Sequence, residues 1–375
     1  MPMSPTRDIR AQTEEDLRGW LKSHGEPAYR AEQILHWLYR QRATRWSAMT
    51  NLPGGLLKLL DQDFTFHPLN LITRQGAPDK TSKFLWQLHD GSLIESVLIP
   101  ASPALYGDPS DRSTLCVSTQ VGCAYGCRFC ASGLEGWKRN LDPAEIVDQV
   151  LGTERWLASL PAAAETQLRI HNLVIMGMGE PLANYDNLLK ALRILNAPWG
   201  VGLGARKITI STSGLAPRIR QLAREPFQFR LAISLHGVTD EIRGKIMPVN
   251  RKYPLRDLIG ACEEYLELKG RMLTFEYILI AGINDSLDQV RPLAQLARRL
   301  HARVNLIPYN PVEGLTWTRP PDAAMDAFLE GLTKQRIPAT LRREKGTDID
   351  AACGQLRLQT ERAWRKQIEN PKTAP

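Results

Sequence analysis

Three closely spaced cysteines form the part of the chain with the clearest capacity for chemistry. Cys123, Cys127 and Cys130 follow the spacing Cys-x3-Cys-x2-Cys. A closed zinc or iron site takes four protein ligands, so three thiolates leave one metal position open. An iron–sulfur cluster held in this way could bind a small molecule at its free iron and pass one electron to it. Soft thiolates also bind zinc, so a structural zinc site completed by Cys116 or Cys353 is the alternative.

The elements around this loop predict an α/β fold. The cysteines lie in one tight loop after a strand-like segment and not on two paired knuckles, which favours the open cluster over zinc. The strand-like segments are "TLCVST", "HNLVIMG", "KITIST", "RLAISLH", "LTFEYILI", "ARVNLIPY" and "PATLRR", and helical stretches such as "PAEIVDQVLGTERWLASL" separate them. This alternation predicts a parallel sheet with helices outside. About six such units predict a partial barrel and not a closed barrel of eight.

Glycine and polar residues follow several of these strands. In parallel α/β sheets ligands bind at the C-terminal ends of the strands. The residues at those ends are Gly177, Gly179, Glu180, Ser211, Ser213, Ser234, Leu235, His236 and Asn310. Any one of the polar residues could simply cap the helix that follows. Four strand ends of this kind together favour a ligand site, in which a glycine backbone or a carboxylate could contact the ligand.

The predicted division of the chain has four parts. They are a helical domain at 1–72, a β-hairpin and linker at 73–112, the partial barrel at 113–345 and a C-terminal segment at 346–375 that contains Cys353. The hairpin prediction depends on alternating apolar residues around Asp90-Gly91. Glu95 lies in its second strand, and the pattern alone predicts a solvated, outward-facing acid.

The helical domain combines cations with aromatic residues. They are Arg30, His36, Arg40, Arg42 and Arg45 with Tyr29, Trp37, Tyr39 and Trp46. Such interleaving can hold phosphates and stack bases, as RNA recognition requires. Aromatic residues at helical spacing are also typical of a core, with the charges on a solvated face.

Composition indicates a cytoplasmic protein without a membrane partner. The chain has 375 residues, and no apolar run approaches the roughly 18 residues of a membrane span. Its N-terminus lacks the apolar core of a signal peptide. Six cysteines in a chain of this length do not form a disulfide scaffold. The net charge of +8 is compatible with a polyanion such as RNA, or with a charge excess spread evenly over the surface.

Several longer motifs resemble one known family. The cysteine spacing, with Phe129 before the third cysteine, resembles the radical S-adenosylmethionine (SAM) superfamily. The strings "LCVSTQVGCAYGCRFCASG", "KRNL" and "DIDAACGQLR" resemble the RlmN family of radical SAM adenosine methyltransferases. The likeness extends from "GEPAYRAEQILHWLY" to Cys353. It implies the incomplete (β/α)6 barrel of radical SAM enzymes with a small N-terminal helical accessory domain that engages RNA.

The resemblance assigns roles to individual residues. It implies that a 4Fe–4S cluster is held by Cys123, Cys127 and Cys130. It implies SAM contacts from Gly179, Glu180, Ser211, Ser234, Leu235, His236 and Asn310, with the choice of Ser211 over Ser213 left open. It also implies that Glu95 is the proton acceptor, that Cys353 carries a methyl group and that Cys116 resolves the intermediate.

The implied reaction uses two molecules of SAM per turnover. Cys353 takes a methyl group from the first, and one electron from the cluster cleaves the second to a radical that removes hydrogen from this methyl. The resulting methylene radical adds to C2 of adenine, a carbon too electron-poor to attack SAM directly. Glu95 then accepts the ring proton, and Cys116 attacks the sulfur of Cys353, which releases the product and leaves a disulfide.

The implied substrates are an adenosine in the peptidyl-transferase centre of 23S rRNA and the adenosine 3′ of the anticodon in tRNA. A monomer is expected, with flavodoxin or ferredoxin as electron donor. The related Cfr-type enzymes, which methylate C8 of the same rRNA adenosine, share the cluster and both extra cysteines and are the first alternative. A zinc-stabilised, non-catalytic RNA-binding protein and a radical SAM enzyme for a small molecule are the others.

Overall fold

The N-terminal segment forms short helices, as the spacing of its leucines predicts. A computed structural model describes residues 7–76, 81–100, 113–134, 136–160, 169–311, 315–342 and 355–369. The first elements are β1 (Arg7–Asp8), α1 (Glu14–Ser23), α2 (Arg30–Leu35), α3 (Gly54–Asp63) and β2 (Phe64–Thr65), and β1 pairs in parallel with β2. Thr13 and Asp16 cap the start of α1 reciprocally, each side chain accepting from the backbone N–H of the other.

A buried ion pair joins this segment to the rest of the molecule. Arg10 lies next to β1, and its guanidinium is 2.8 Å from the carboxylate of Asp148. Both side chains are almost fully buried. The hydroxyl of Tyr39 donates to the carbonyl of Arg10 at 3.0 Å. The N-terminal helices and the barrel share one continuous apolar core.

The predicted hairpin is present and extends the central sheet. Its strands are β4 (Ser82–Gln87) and β5 (Leu93–Pro100), and β3 (Asn70–Gln75) pairs antiparallel with β4. Gly91 has a φ of 81°, a backbone conformation that favours glycine, and the carboxylate of Asp90 accepts from Ser92 N–H at 2.9 Å. β5 pairs antiparallel with β6 (Ser113–Cys116), which begins the parallel part of the sheet.

The second part of the chain forms six βα units and a final strand. After β6, a separate two-stranded ribbon forms from β7 (Gln120–Gly122) and β8 (Trp137–Asn140). The remaining strands are β9 (Ile170–Ile175), β10 (Ile208–Thr212), β11 (Arg230–Ser234), β12 (Thr274–Leu279), β13 (Arg303–Pro308) and β14 (Ala339–Leu341). The order across the ten-stranded sheet is β14-β13-β12-β11-β10-β9-β6-β5-β4-β3. The two end strands do not pair with each other, so the barrel is partial, as expected.

Helices cover the outside of the parallel strands. They are α4 (Pro143–Ala158), α5 (Tyr185–Asn196), α6 (Ala216–Arg224), α7 (Asp240–Ile246), α8 (Leu255–Lys269), α9 (Val290–Arg299) and α10 (Asp322–Lys334), and α11 (Gln355–Glu369) ends the described chain. Tyr277 of β12 stacks on Phe328 of α10, which shows which face of the sheet meets the helices. Within the described ranges, no helix combines the length and the apolar character needed to cross a membrane.

Candidate active site

The three cysteines lie on the connection between β7 and β8. The base of this connection is closed by a hydrogen bond from Cys123 N–H to the carbonyl of Gly136 at 3.0 Å. Gly122 has a φ of 76°, and a Cβ at this position would lie 2.0 Å from the same carbonyl oxygen. Only glycine permits so close an approach of the two backbone segments. The connection therefore starts and ends at a fixed point of the ribbon.

Burial and the neighbouring thiols disfavour the thiolate form of the cysteines. Burial raises the pKa of Cys123 to about 12, and burial together with the neighbouring Cys130 and Cys123 raises the pKa of Cys127 well above its usual value. Without a cation these groups remain thiols, whereas iron would stabilise the thiolates.

The donor set fits an iron–sulfur cluster. Cys123, Cys127 and Cys130 offer three soft thiolates on one connection, and Cys127 lies close enough to Cys123 and Cys130 for their charges to affect its pKa. In a 4Fe–4S cluster each thiolate binds a different iron, so its ligands are spread more widely than those of one zinc ion.

The strand register places Glu95 and Cys116 on one face of the sheet. Cys116 lies opposite Val97 of β5, and Val97 lies opposite Lys83 of β4. Residues opposite each other, and residues two apart in one strand, point to the same face. Glu95 is two residues from Val97, so its side chain shares this face with Lys83 and Cys116. The next residue, Ser96, points to the other face, where its hydroxyl donates to Gln149 of α4.

The same face carries the serines at the ends of the next strands. Cys116 lies opposite Val174 of β9, and the row continues through Thr209 of β10 to Arg230 of β11. Ser211 is two residues beyond Thr209, and Ser234 is four residues beyond Arg230. The inner face of the partial barrel therefore carries Glu95, Cys116, Ser211 and Ser234.

Glu180 joins the ends of β9 and β10. Its carboxylate accepts from the Thr212 hydroxyl at 2.8 Å, from Ser213 N–H at 2.6 Å and from Leu182 N–H at 3.0 Å. Burial raises the pKa of Glu180, and these hydrogen bonds oppose that shift. Gly179 has a φ of 99°, and a Cβ there would lie 2.5 Å from Cβ of Gln120. The backbone at this strand end therefore needs glycine and is held in one position.

His236 is a neutral, buried histidine after β11. Burial, with a contribution from Arg243, lowers its pKa to about 3. Its Nδ1 accepts from Ile278 N–H at 3.0 Å, so the ring proton is on Nε2. The ring packs edge to face on Phe129 of the cysteine connection, with centroids 4.7 Å apart. The end of β11 therefore contacts the connection that carries the three cysteines.

The other predicted SAM contacts lie at strand ends, as expected. Leu235 is buried and donates its N–H to the carbonyl of Glu276 at 3.0 Å. Asn310 follows β13 and is partly exposed. Arg243, which the sequence did not single out, is fully buried and donates to the carbonyl of Ser213 at 2.5 Å. In the sequence Arg243 looks like any arginine of a surface helix, so neither its burial nor its bond to Ser213 could be predicted.

Glu95 is buried, so the prediction of a solvated, outward-facing acid is wrong. Only 3% of its side chain is exposed. The ammonium of Lys83 lies 3.6 Å from Oε2, and Lys83 is itself 1% exposed. Oε1 accepts from Arg357 N–H at 2.7 Å, and the carbonyl of Glu95 accepts from the Ser118 hydroxyl. β5 lies between two other strands with both faces covered, so strand alternation could not reveal the burial.

The helix that follows Cys353 contacts both Glu95 and the cysteine connection. Cys353 itself lies outside the described residues, and α11 begins two residues after it. Leu356 packs with Leu85 and Leu93, and Leu358 packs on Ala131, the residue after Cys130.

An ion pair also connects α11 to β8. Glu361 of α11 pairs with Arg357 at 2.9 Å and with Lys138 of β8 at 3.3 Å. The start of α11 thus lies between the strand of Glu95 and the cluster loop.

Several of the cations and aromatic residues of the N-terminal helices make contacts within the protein. Tyr39 is buried against Arg10 and does not present a ring for stacking. Arg40 donates to the carbonyl of Pro198 at 2.7 Å, and Arg42 pairs with Glu154 at 2.8 Å. These contacts hold the helices on the barrel. Tyr29 remains 52% exposed.

Comparison with known proteins identifies two families whose models match parts of this chain. Residues 117–296 match the family model of the radical SAM superfamily, and residues 8–65 match that of the ribosomal RNA large subunit methyltransferase N-terminal domain. The chain is 54% identical to "Probable dual-specificity RNA methyltransferase RlmN 3" of Opitutus terrae, with 96% of this chain and 97% of that protein covered. It is 52% identical to "Probable dual-specificity RNA methyltransferase RlmN" of Akkermansia muciniphila, with 96% and 98% covered.

A solved structure confirms the fold. The crystal structure of a radical SAM methyltransferase from Sphaerobacter thermophilus is 44% identical and superposes with a TM-score of 0.85. The match covers 93% of this chain and 98% of that one. The predicted radical SAM barrel is therefore confirmed.

Proposed function

The chain belongs to the RlmN family of radical SAM RNA methyltransferases, and we propose that it methylates C2 of adenosine in 23S rRNA and in tRNA. The proposed targets are the adenosine of the peptidyl-transferase centre and the adenosine 3′ of the anticodon. Its cofactors are those of the superfamily, a 4Fe–4S cluster and SAM. One observation carries the proposal. Glu95 and Cys116 share the inner face of the barrel, and Glu95 accepts from a backbone N–H four residues after Cys353.

The proposed roles divide the reaction among three residues. Cys353 accepts a methyl group by displacement, and its sulfur then tethers the adenine ring. Glu95 takes the ring proton, and its carboxylate lies 3.6 Å from the ammonium of Lys83. Cys116 attacks the tethered sulfur and forms the Cys116–Cys353 disulfide. The bond from that sulfur to the methylene carbon breaks, and this carbon takes a proton to become the methyl group of the product.

The bound groups supply the remaining chemistry. Cys123, Cys127 and Cys130 would hold the cluster, which would supply the electron for cleavage of SAM. The proposed SAM contacts are Gly179, Glu180, Ser211, Ser234, Leu235, His236 and Asn310. Glu180 supports this assignment because its three hydrogen bonds fix the carboxylate at the end of β9.

Further proposals concern the setting of the reaction. A flavodoxin or ferredoxin would donate the electron, and a reductant must restore both thiols after each turnover. A monomer in the cytoplasm suits a ribosomal and tRNA substrate. The division into a helical domain, hairpin, barrel and C-terminal segment remains a prediction.

The test compares four proteins purified without oxygen: wild type, Cys353→Ala, Cys116→Ala and Cys262→Ala. Cys262 is a buried thiol in α8 and serves as the matched control. Intact mass should show one methyl on every protein except Cys353→Ala. With RNA, Cys116→Ala should accumulate a covalent enzyme–RNA adduct, whereas Cys262→Ala should turn over normally.

Product analysis decides between the alternatives. Nuclease digestion and mass spectrometry should give 2-methyladenosine from both a 23S rRNA fragment and tRNA. A product methylated at C8 would show a Cfr-type enzyme. A methyl group that survives Cys353→Ala would contradict the proposed roles.

A further inference from the structure

Two large apolar side chains are exposed beside the cluster ligands. Leu134 is 42% exposed and Trp137 is 49% exposed, on the connection and strand that follow Cys130. Tryptophan is largely buried on average, so an indole with half its surface in water, three residues from an exposed leucine, is a candidate for an interaction site. No part of the proposed chemistry uses either residue.

The backbone that carries Trp137 is firmly held. Trp137 begins β8 and lies opposite Gly122, where the missing Cβ allows the two strands to come close. The next residue, Lys138, pairs with Glu361 of α11, and Arg139 pairs with Glu145 at 2.7 Å. The indole is therefore presented by a fixed strand that is also bonded to α11.

Two cations lie near Trp137 along the chain, Lys138 directly after it and Arg128 nine residues before it. Lys138 retains 43% exposure of its side chain despite its pairing. Arg128 lies between the second and third cysteines, is exposed, and makes no ion pair within the ranges that the structure describes. An aromatic plane with flanking cations is the combination that binds single-stranded nucleic acid, because the ring stacks on a base while the cations contact phosphates.

We propose that Trp137 stacks on an unpaired nucleotide next to the target adenosine. This inference rests on the proposed function. A base that reacts at the cluster must leave its own stack, and its neighbours then lose a stacking partner. The indole replaces that partner, and Arg128 and Lys138 contact the adjacent phosphates. A protein partner fits this surface less well, because a stable protein interface covers roughly 800 Å² on each side and two side chains are far smaller.

The test compares wild type, Trp137→Ala, Trp137→Phe and Leu287→Ala. Leu287 is 57% exposed beside α9 and controls for loss of an exposed apolar side chain. We expect Trp137→Ala to raise the Kd for RNA about 5- to 150-fold, which is the equivalent of the ~1–3 kcal/mol of one base–aromatic stack. Trp137→Phe should recover most of the affinity, and Leu287→Ala should bind as wild type does.

Two further measurements separate the alternatives. Methyl loading of Cys353 needs only SAM, so every variant should load fully, and a loading defect in Trp137→Ala would show a structural role and overturn the proposal. A turnover defect that appears with flavodoxin but disappears with dithionite would assign the surface to the electron donor instead. If wild type forms 2-methyladenosine and Trp137→Ala binds RNA equally well, this inference fails while the proposed function stands. If wild type methylates no RNA, the proposed function fails first.

Discussion

Replacement of Lys83 by methionine removes the cation beside a buried carboxylate. Methionine keeps the apolar stem, so the change removes mainly the ammonium, which lies 3.6 Å from Glu95. At this distance two unit charges attract by about 4–5 kcal/mol with an effective dielectric constant near 20. Breaking one side of a buried ion pair usually costs about 3–5 kcal/mol. We expect Lys83→Met to lower the free energy of unfolding by about 3 kcal/mol, the lower end of that range.

A double-mutant cycle isolates the pair. In Lys83→Met/Glu95→Gln neither charge remains, so the double variant should lose much less stability than the sum of the single variants, with a coupling of about 2–3 kcal/mol. Lys138→Met is the matched control. Its pair with Glu361 at 3.3 Å is partly exposed, so we expect a loss of no more than about 1 kcal/mol.

Urea unfolding of the anaerobic proteins gives the stabilities, and methyl loading reports that each variant is folded. Lys83→Met should load methyl on Cys353 but methylate RNA more slowly, because the carboxylate of Glu95 loses the charged group that lies 3.6 Å from it. A loss below about 1 kcal/mol for Lys83→Met, or simple additivity in the double variant, would refute the reasoning.

Three further outcomes are expected. Gly179→Ala places a Cβ 2.5 Å from Cβ of Gln120 at a φ of 99°, and it should weaken SAM binding about 10-fold by equilibrium dialysis because the strand end must move. Tyr39→Phe removes the 3.0 Å hydrogen bond to the carbonyl of Arg10 and should lower the free energy of unfolding by about 1 kcal/mol in urea. His236 has a pKa lowered to about 3, so the unfolded chain binds its proton first as the pH falls below about 6.5. Stability should therefore fall by about 1.4 kcal/mol per pH unit between about pH 6.5 and about pH 3, and His236→Asn should remove this part of the pH dependence.

The fold of the barrel could be predicted because its signals are local. The parallel strands are short apolar runs, and the segments between them have apolar residues at helical spacing. All seven predicted strands are present. The ribbon of β7 and β8 was not predicted. Its strands have three and four residues, and Trp137 and Lys138 are exposed, so the ribbon shows no apolar alternation. Its formation depends on the close approach at Gly122.

The site could be predicted only in part because some of its contacts depend on register. Strand ends rich in glycine and serine are visible in the sequence. That Lys83 faces Glu95 is not visible, since it requires the pairing of β4 with β5 and burial of both faces. The same limit applies to Arg40, which resembles an RNA-binding residue in the sequence but donates to carbonyls of the barrel.

The contacts of α11 link the proposed proton acceptor, Glu95, to the connection that carries the three cysteines. Within the first seven residues of this helix, Arg357 bonds to the proposed proton acceptor, Leu358 packs on Ala131 next to a proposed cluster ligand, and Glu361 pairs with β8. An α-helix rises about 1.5 Å per residue and is stiff over such a length. We therefore expect a shift of the cysteine connection to reach Glu95 through α11 as well as through the sheet. For this reason the stability of the Lys83–Glu95 pair and the rate of transfer from Cys353 should change together in variants of this helix.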